Sequence, residues 1–203
     1  MQTIDIVNNQ QRTDVYRQAS DPPYGPTLIL PSGLRLDLVQ DAPLSANYPD
    51  PAALPFGGNR RVHYQAPEYF IDIGGLPPAT RSARASVNFS LDEYVRLPDR
   101  NGDRRCYVDA QIAQHVQDLR QAWGGPLVIN SSFRSPRFNA AIGGAFFSRH
   151  MYGDALDVAV PDTRRAQDFY NLALAIGVDF VDAFSNTVAA DGSGWVHIDD
   201  RGF

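Results

Sequence analysis

The chain has 203 residues, of which 43% are hydrophobic and 20% are charged, a composition typical of one ordinary globular domain with a real core. The single cysteine, Cys106, excludes an internal disulfide framework and a zinc site built from several cysteines. A net charge of −5 argues against a nucleic-acid partner held by bulk positive charge, and no apolar run is long enough for a membrane span. All 18 basic residues are arginine, which excludes mechanisms that need a lysine.

Residues 1–85 are dense in turn signals and short apolar runs, and they contain 11 of the 15 prolines. Leu34, Leu36 and Leu38 alternate with other residues, which favours a half-buried strand. The run Thr27–Leu30, followed by Pro-Ser-Gly, predicts the partner strand of a hairpin. We therefore expect a β- and loop-rich N-terminal segment that either forms a small module or wraps around the rest. Docking to a partner is a candidate role for this segment.

Residues 86–203 have the alternating helix and strand patterns of an α+β domain. An apolar stripe of Ile112, Val116, Leu119 and Trp123 predicts a helix over residues 108–123. The other expected elements are a helix start at Ser90, strands at 126–130 and 155–160, a helix from Asp162 to Gly177, and strands at 180–184 and 195–199.

The strongest local pattern begins at His150, which is followed seven residues later by Asp157. Gly153 and Ala155 between them let the backbone turn closely enough for both side chains to point at one centre. Imidazole and carboxylate are zinc ligands, and catalytic zinc usually takes three protein ligands. His197, on a predicted strand, is the natural third candidate. Taken alone, the first pair fits a surface turn with an aspartate at a strand entry as well as it fits a metal site.

Three spaced motifs surround these residues: Asn130-Ser-Ser-Phe-Arg134-Ser-Pro-Arg-Phe-Asn139 with Gly143-Gly144, Ser148-x-His150-x-x-Gly153-x-Ala155-x-Asp157, and Trp195-Val-His197-Ile-Asp199-Asp-Arg201-Gly202. Together they resemble the M15 zinc D-Ala-D-Ala peptidases, whose fold is shared with the Hedgehog signalling domain. The resemblance covers about residues 86–203. It implies an antiparallel sheet with packed helices, and a Zn²⁺ cofactor. It also assigns site residues: His150, Asp157 and His197 as metal ligands, with Arg134 and Ser148 facing the substrate.

The resemblance does not assign the general base. Many members of the family carry an acid three residues before the last histidine ligand, where this chain has Gly194, and some carry a histidine at the position of Trp195. Asp199 is the predicted acid, because residues 197 and 199 share one face of a strand. It would either take a proton from the catalytic water directly or orient His197. Asp191, on the preceding loop, is the rival.

The expected function is zinc-dependent hydrolysis of D-amino-acid-containing peptide bonds in peptidoglycan stem peptides, by a D,D-carboxypeptidase or an endopeptidase. Arg134 would meet a substrate carboxylate or carbonyl, although a structural pairing with a loop carboxylate is an alternative. The competing functions are a non-catalytic zinc-containing module that binds cell wall or protein, and a structural part of a phage or injection machine. No secretory signal is visible, so localisation stays open, and a wall substrate implies action in the periplasm or cell wall. His63, His115 and Cys106 are predicted to be structural.

Overall fold

Short strands and helices alternate along the part of the chain that the computed structural model describes, which is residues 27–40, 48–49, 67, 69–95, 104–160, 165–188 and 194–201. The strands are β1 (Thr27–Ile29), β2 (Arg35–Asp37), β3 (Val39–Gln40), β4 (Tyr69–Asp72), β5 (Arg105–Cys106), β6 (Val128–Ser131), β7 (Ala155–Ala159), β8 (Phe180–Val181) and β9 (Trp195–Asp199). The helices are α1 (Pro78–Arg81), α2 (Leu91–Val95), α3 (Ala110–Trp123), α4 (Pro136–Ala141) and α5 (Ala166–Ile176). Within these residues, no helix is both long and apolar enough to cross a membrane.

The central sheet is antiparallel, with strand order β6-β7-β9-β8. Its inner face carries Leu156, Val158, Val196 and Ile198, all at most 1% exposed, which share one buried cluster with apolar side chains of α3 and α5. Because side chains alternate along a strand, Asp157, His197 and Asp199 lie on the other face, which is called the polar side below. This arrangement confirms the expected α+β class, in which helices pack against an antiparallel sheet.

The two long helices follow from local sequence signals. The carboxylate of Asp109 accepts a hydrogen bond of 2.7 Å from the N–H of Gln111 and so caps α3. Gly124 ends this helix in the left-handed region with φ of 72°, and Gly177 ends α5 with φ of 99°, as predicted. The predicted start of α5 at Asp162 lies outside the described residues. The predicted strand over 180–184 is shorter, because a 3-10 turn occupies Phe184–Asn186.

The described part of the N-terminal segment is β-rich, as expected, and belongs to the same hydrophobic core. Strands β1 and β2 form the predicted antiparallel hairpin, in which Leu28 lies opposite Leu36. Strand β4 pairs with β5, and Ile71 lies opposite Cys106. All four side chains are at most 2% exposed and lie in the cluster that includes α3 and α5. These strands therefore share the hydrophobic core of the rest of the fold, while the boundary at residue 85 and a docking role remain predictions.

Candidate metal centre

Three side chains predicted as metal ligands converge on the polar side of the central sheet. One ligand atom each from His150, Asp157 and His197 lies within 4.8 Å of the other two. Oδ1 of Asp157 is 3.1 Å from Nε2 of His150 and 2.9 Å from Nδ1 of His197. A tetrahedral zinc ion with bonds of about 2.0–2.1 Å separates its ligand atoms by roughly 3.3 Å. The donors are therefore spaced to hold one small cation with little movement.

The fold positions each of these ligands by a different device. Asp157 lies in the middle of β7, and His197 lies directly opposite it on β9. His150 lies in a 3-10 turn, Arg149–Tyr152, which ends at Gly153 with φ of 74°. A Cβ atom at Gly153 would lie 2.6 Å from the carbonyl oxygen of Tyr107, so only glycine fits there. The tight turn before β7 thus has the geometry that the small residues of the motif predict.

The hydrogen-bond partners of the two imidazoles fix which nitrogens carry protons. Nδ1 of His150 lies 2.7 Å from the carbonyl oxygen of Ser132, which can only accept, so Nδ1 donates. Nε2 of His197 lies 2.9 Å from Oδ2 of Asp199 and donates to that carboxylate. The remaining nitrogens therefore both point towards the Asp157 carboxylate. Once His197 has lost the proton on Nδ1, these two nitrogens and the carboxylate oxygen form a donor set whose chemistry fits a divalent metal of the zinc type.

The electrostatics of the cluster agree with cation binding. Burial alone raises the pKa of Asp157, but its contacts with His150 and His197 outweigh burial and hold that pKa well below the usual range. Burial lowers the pKa of His150, so this side chain is neutral at pH 7. Burial also lowers the pKa of His197, but hydrogen bonds with Asp157 and Asp199 outweigh it and raise the pKa to about 9. A metal ion entering the site therefore displaces a proton from His197.

Asp199 contacts the centre through the imidazole of His197. Its carboxylate accepts from Nε2, on the opposite side of the ring from Nδ1, and both of its oxygens also accept from Arg201. The guanidinium of Arg201 lies 3.6 Å from the ring centroid of Phe180, which fixes its position. Burial raises the pKa of Asp199, but Arg201 and His197 outweigh burial and lower it. This geometry favours the orienting role predicted for Asp199 over direct proton transfer, and the role itself stays a prediction.

Arg134 lies beside the candidate ligands. Its Nη2 donates to Oδ2 of Asp157 at 2.5 Å, its Nε donates to Oγ of Ser131 at 2.8 Å, and its backbone N–H donates to the carbonyl oxygen of His150. Arg134 therefore pairs with the carboxylate of Asp157, a candidate metal ligand on β7, and not with a loop carboxylate. Ser148 is half-buried at the start of the 3-10 turn, and its hydroxyl makes no capping hydrogen bond. Substrate contact by either residue stays a prediction.

Sequence reasoning missed the groups that brace the turn carrying His150. Arg149 and Asp154 form an ion pair across this turn, and both side chains are at most 3% exposed. The available signal was that Arg149 and Asp154, which carry opposite charges, flank the segment from His150 to Gly153. Among the other candidates, His115 lies in α3 and pairs with Asp200 at 2.9 Å, as a structural histidine would. Asp191 and His63 lie outside the described residues.

Comparison with known proteins agrees with the motif-based expectation. The sequence model of the family described as Peptidase M15 matches residues 88–199. The chain is also similar to the zinc D-Ala-D-Ala carboxypeptidase of Streptomyces albus G, with 48% identity over 79 residues, which cover 36% of this chain and 31% of that protein. The similarity thus spans about a third of the length of this relative. Because the family match extends over more than half of the 203 residues, the chain belongs to the M15 peptidase family.

Proposed function

We propose that this chain is a zinc-dependent peptidase that hydrolyses D-amino-acid-containing peptide bonds of peptidoglycan stem peptides. The observation that carries the proposal is the convergence of His150, Asp157 and His197 on one centre. His150 donates one ring N–H to Ser132 and His197 donates one to Asp199, so the other nitrogen of each ring faces the centre. Membership of the M15 family supports peptide hydrolysis. The name of the Streptomyces relative supports zinc and a D-Ala-D-Ala substrate.

The chain's own groups have defined tasks in this reaction. His150, Asp157 and His197 would hold the zinc ion, which would supply Lewis acidity for the scissile carbonyl and lower the pKa of a water molecule towards neutrality. Asp157 stays ionised because its pKa is low, and Asp199 holds the imidazole of His197 so that Nδ1 faces the centre. Asp199 therefore acts by orienting a ligand in this proposal, and Asp191 is the candidate for direct proton transfer.

Arg134 is the proposed contact for the substrate's carboxylate or carbonyl. Its side chain is 15% exposed, and its contacts with Ser131 and Asp157 use Nε and Nη2. Among the described residues, no hydrogen bond engages Nη1, and its two N–H groups are suited to a carboxylate. Arg134→Lys would keep the charge but lose the planar fork, so turnover should fall by about 10- to 100-fold with zinc still bound.

The direct test is to incubate the zinc-loaded protein with purified peptidoglycan and with an acylated peptide that ends in D-Ala-D-Ala, and to identify the products by mass. Release of a single D-Ala would identify a carboxypeptidase, and fragments from cut crosslinks would identify an endopeptidase. Asp157→Asn, which is nearly isosteric, is the matched inactive control. If the zinc-loaded parent yields no product from either substrate, the peptidase proposal fails and a non-catalytic binding module becomes the better explanation.

A further inference from the structure

An apolar row lies next to the candidate metal ligands on the same face of the central sheet. In the register of the sheet, Val128 pairs with Ala159, which in turn pairs with Trp195. The next row on this face contains Asp157 and His197. Val128 is 46% exposed and Trp195 is 37% exposed, although both are large and apolar. The described part of the chain therefore leaves this apolar row open to solvent.

The described residues surround the two ends of the metal centre differently. The 3-10 turn with His150 runs directly into Ala155, so it lies at the end of β7 away from Ala159. Arg134 is held at that same end, because its N–H donates to the carbonyl oxygen of His150. A substrate that reaches the centre can therefore extend over the apolar row. This row lies two residues, or about 7 Å, beyond Asp157 along β7.

The chemistry of the two ends differs, and this difference gives the substrate a direction. Arg134, at the end with the 3-10 turn, suits the carboxylate that follows the scissile bond, as proposed above. At the other end, the row formed by Val128, Ala159 and Trp195 consists of apolar side chains and suits an apolar side chain of the substrate. In an extended peptide, about 7 Å corresponds to two residues. The side chain that reaches the row is thus that of the second residue before the scissile bond.

We propose that Trp195, together with Val128 and Ala159, binds the aliphatic side chain of the second residue before the scissile bond and makes the enzyme selective for that residue. This inference rests on the proposed function for the direction of the substrate. A long aliphatic stem fits because it can lie along a half-exposed indole while a polar head stays in water.

The test measures hydrolysis of N-acetyl-X-D-Ala-D-Ala by the zinc-loaded full chain, with glycine, alanine or norleucine as X. The parent should prefer norleucine over glycine by about 10-fold in kcat/KM, the lower end of what apolar contacts give in enzyme sites. Trp195→Ala should abolish this preference while the glycine peptide is still cleaved, and Val128→Ser should reduce it. Leu174→Ala is the matched control, because Leu174 is 46% exposed on α5, which packs against the inner face of the sheet.

Fluorescence provides a second readout that does not depend on turnover. The chain has two tryptophans, and Trp123 packs against Phe169 on the inner side, where phenylalanine can replace it. In Trp123→Phe, the emission therefore reports Trp195 alone. The norleucine peptide should shift this emission to shorter wavelength at lower concentration than the glycine peptide.

The two readouts separate the inference from the proposed function. Cleavage with no preference for X and no emission shift would overturn the role of Trp195 and leave the peptidase intact. A norleucine-dependent shift without cleavage would support the apolar row and overturn the peptidase. If Trp195→Ala does not fold, the Val128→Ser selectivity and the emission of Trp123→Phe decide the question.

Discussion

The N-terminal strands and the central sheet both bury one face in the same hydrophobic core, but they differ in what the other face carries. In β2, Leu36 is buried, and its neighbours Arg35 and Asp37 are exposed to solvent. In β7 and β9, the alternate positions hold Asp157, His197 and Asp199, which are largely enclosed by the protein. The same alternation thus produces an inert surface in one region and a reactive centre in the other.

This difference shows that each charged group buried by the protein needs its own partner to offset the free energy of lost solvation. An unpaired buried carboxylate is costly, because it loses the water that solvates it. Four buried acids in or next to the central sheet have a cationic or imidazole partner: Asp157 with Arg134, Asp154 with Arg149, Asp199 with Arg201, and Asp200 with His115. In β2, by contrast, Arg35 and Asp37 are exposed to solvent, so water itself solvates much of their charge. We therefore expect substitutions in the two regions to affect different properties.

The largest expected effect concerns the metal. His197→Ala removes one of three ligand atoms, and we expect the protein to bind no stoichiometric zinc while remaining folded. Zinc content after gel filtration, measured by mass spectrometry, tests this. His115→Gln is the matched control, because it changes a histidine outside the cluster and should keep one zinc per chain. Full zinc content in His197→Ala would remove this residue from the site.

Shortening a core side chain in the N-terminal strands should have the opposite effect: the protein should lose stability but keep its zinc. Leu36 is 2% exposed, and Leu36→Ala leaves a cavity in the shared core, so the free energy of unfolding should fall by about 2–5 kcal/mol. Urea denaturation with a chelator present measures this loss. The folded variant should still bind one zinc ion, since no proposed ligand lies in residues 1–85. A folded Leu36→Ala protein without zinc would show that this region also shapes the metal centre.

The two regions also differ in how much of their structure can be predicted from the sequence. The ligand pair His150 and Asp157 could be predicted, because the motif confines both to one turn and the strand that follows. The hairpin of Leu28 and Leu36 could be predicted from alternation and a tight turn. The pairing of β4 with β5 could not, since Ile71 and Cys106 are far apart in the sequence and carry no local signal of their partnership.

Side-chain roles were harder to predict than positions. The shared face of residues 197 and 199 follows from strand periodicity, but which nitrogen of His197 would face Asp199 does not. That choice depends on Arg201 and Phe180, which lie on separate strand ends and hold the carboxylate in place. Orientation by neighbouring groups is a tertiary property, and a single sequence does not display it.

Asp199→Asn sharpens the comparison within the central sheet. If Asp199 orients His197, the substitution should weaken zinc affinity by about 10- to 100-fold, because the imidazole loses its charged partner. Competition with a chromogenic chelator measures this affinity. A direct base would instead give a loss of about 10²- to 10⁴-fold in turnover with zinc affinity unchanged. The second outcome would contradict the orienting role, and Asp191→Asn then serves as the comparison for proton transfer.

The smallest expected effect comes from the pair of His115 and Asp200, which joins α3 to the end of β9. Nδ1 of His115 lies 2.9 Å from one oxygen of Asp200, and that carboxylate side chain is 1% exposed. Burial lowers the pKa of His115, but the hydrogen bond and charge of Asp200 outweigh burial, so the folded-state pKa is raised. Asp179 and Asp118 also raise the pKa of His115, so these carboxylates together favour the protonated imidazole in the folded protein.

The sign of the pH dependence follows from this raised pKa. A histidine with a folded pKa above its unfolded value of about 6.5 stabilises the protein fully below that pH, and the contribution is lost as pH rises through the folded pKa. The parent should therefore be more stable than His115→Gln by a margin that is largest below about pH 6.5 and shrinks as the pH rises through the raised folded-state pKa. Urea denaturation of both proteins with a chelator present, at matched pH values, gives this margin while the other titrating groups cancel. Lost packing in the variant adds only a constant offset, so a margin that stays level or grows with pH would show that the imidazole is not held as a cation by Asp200.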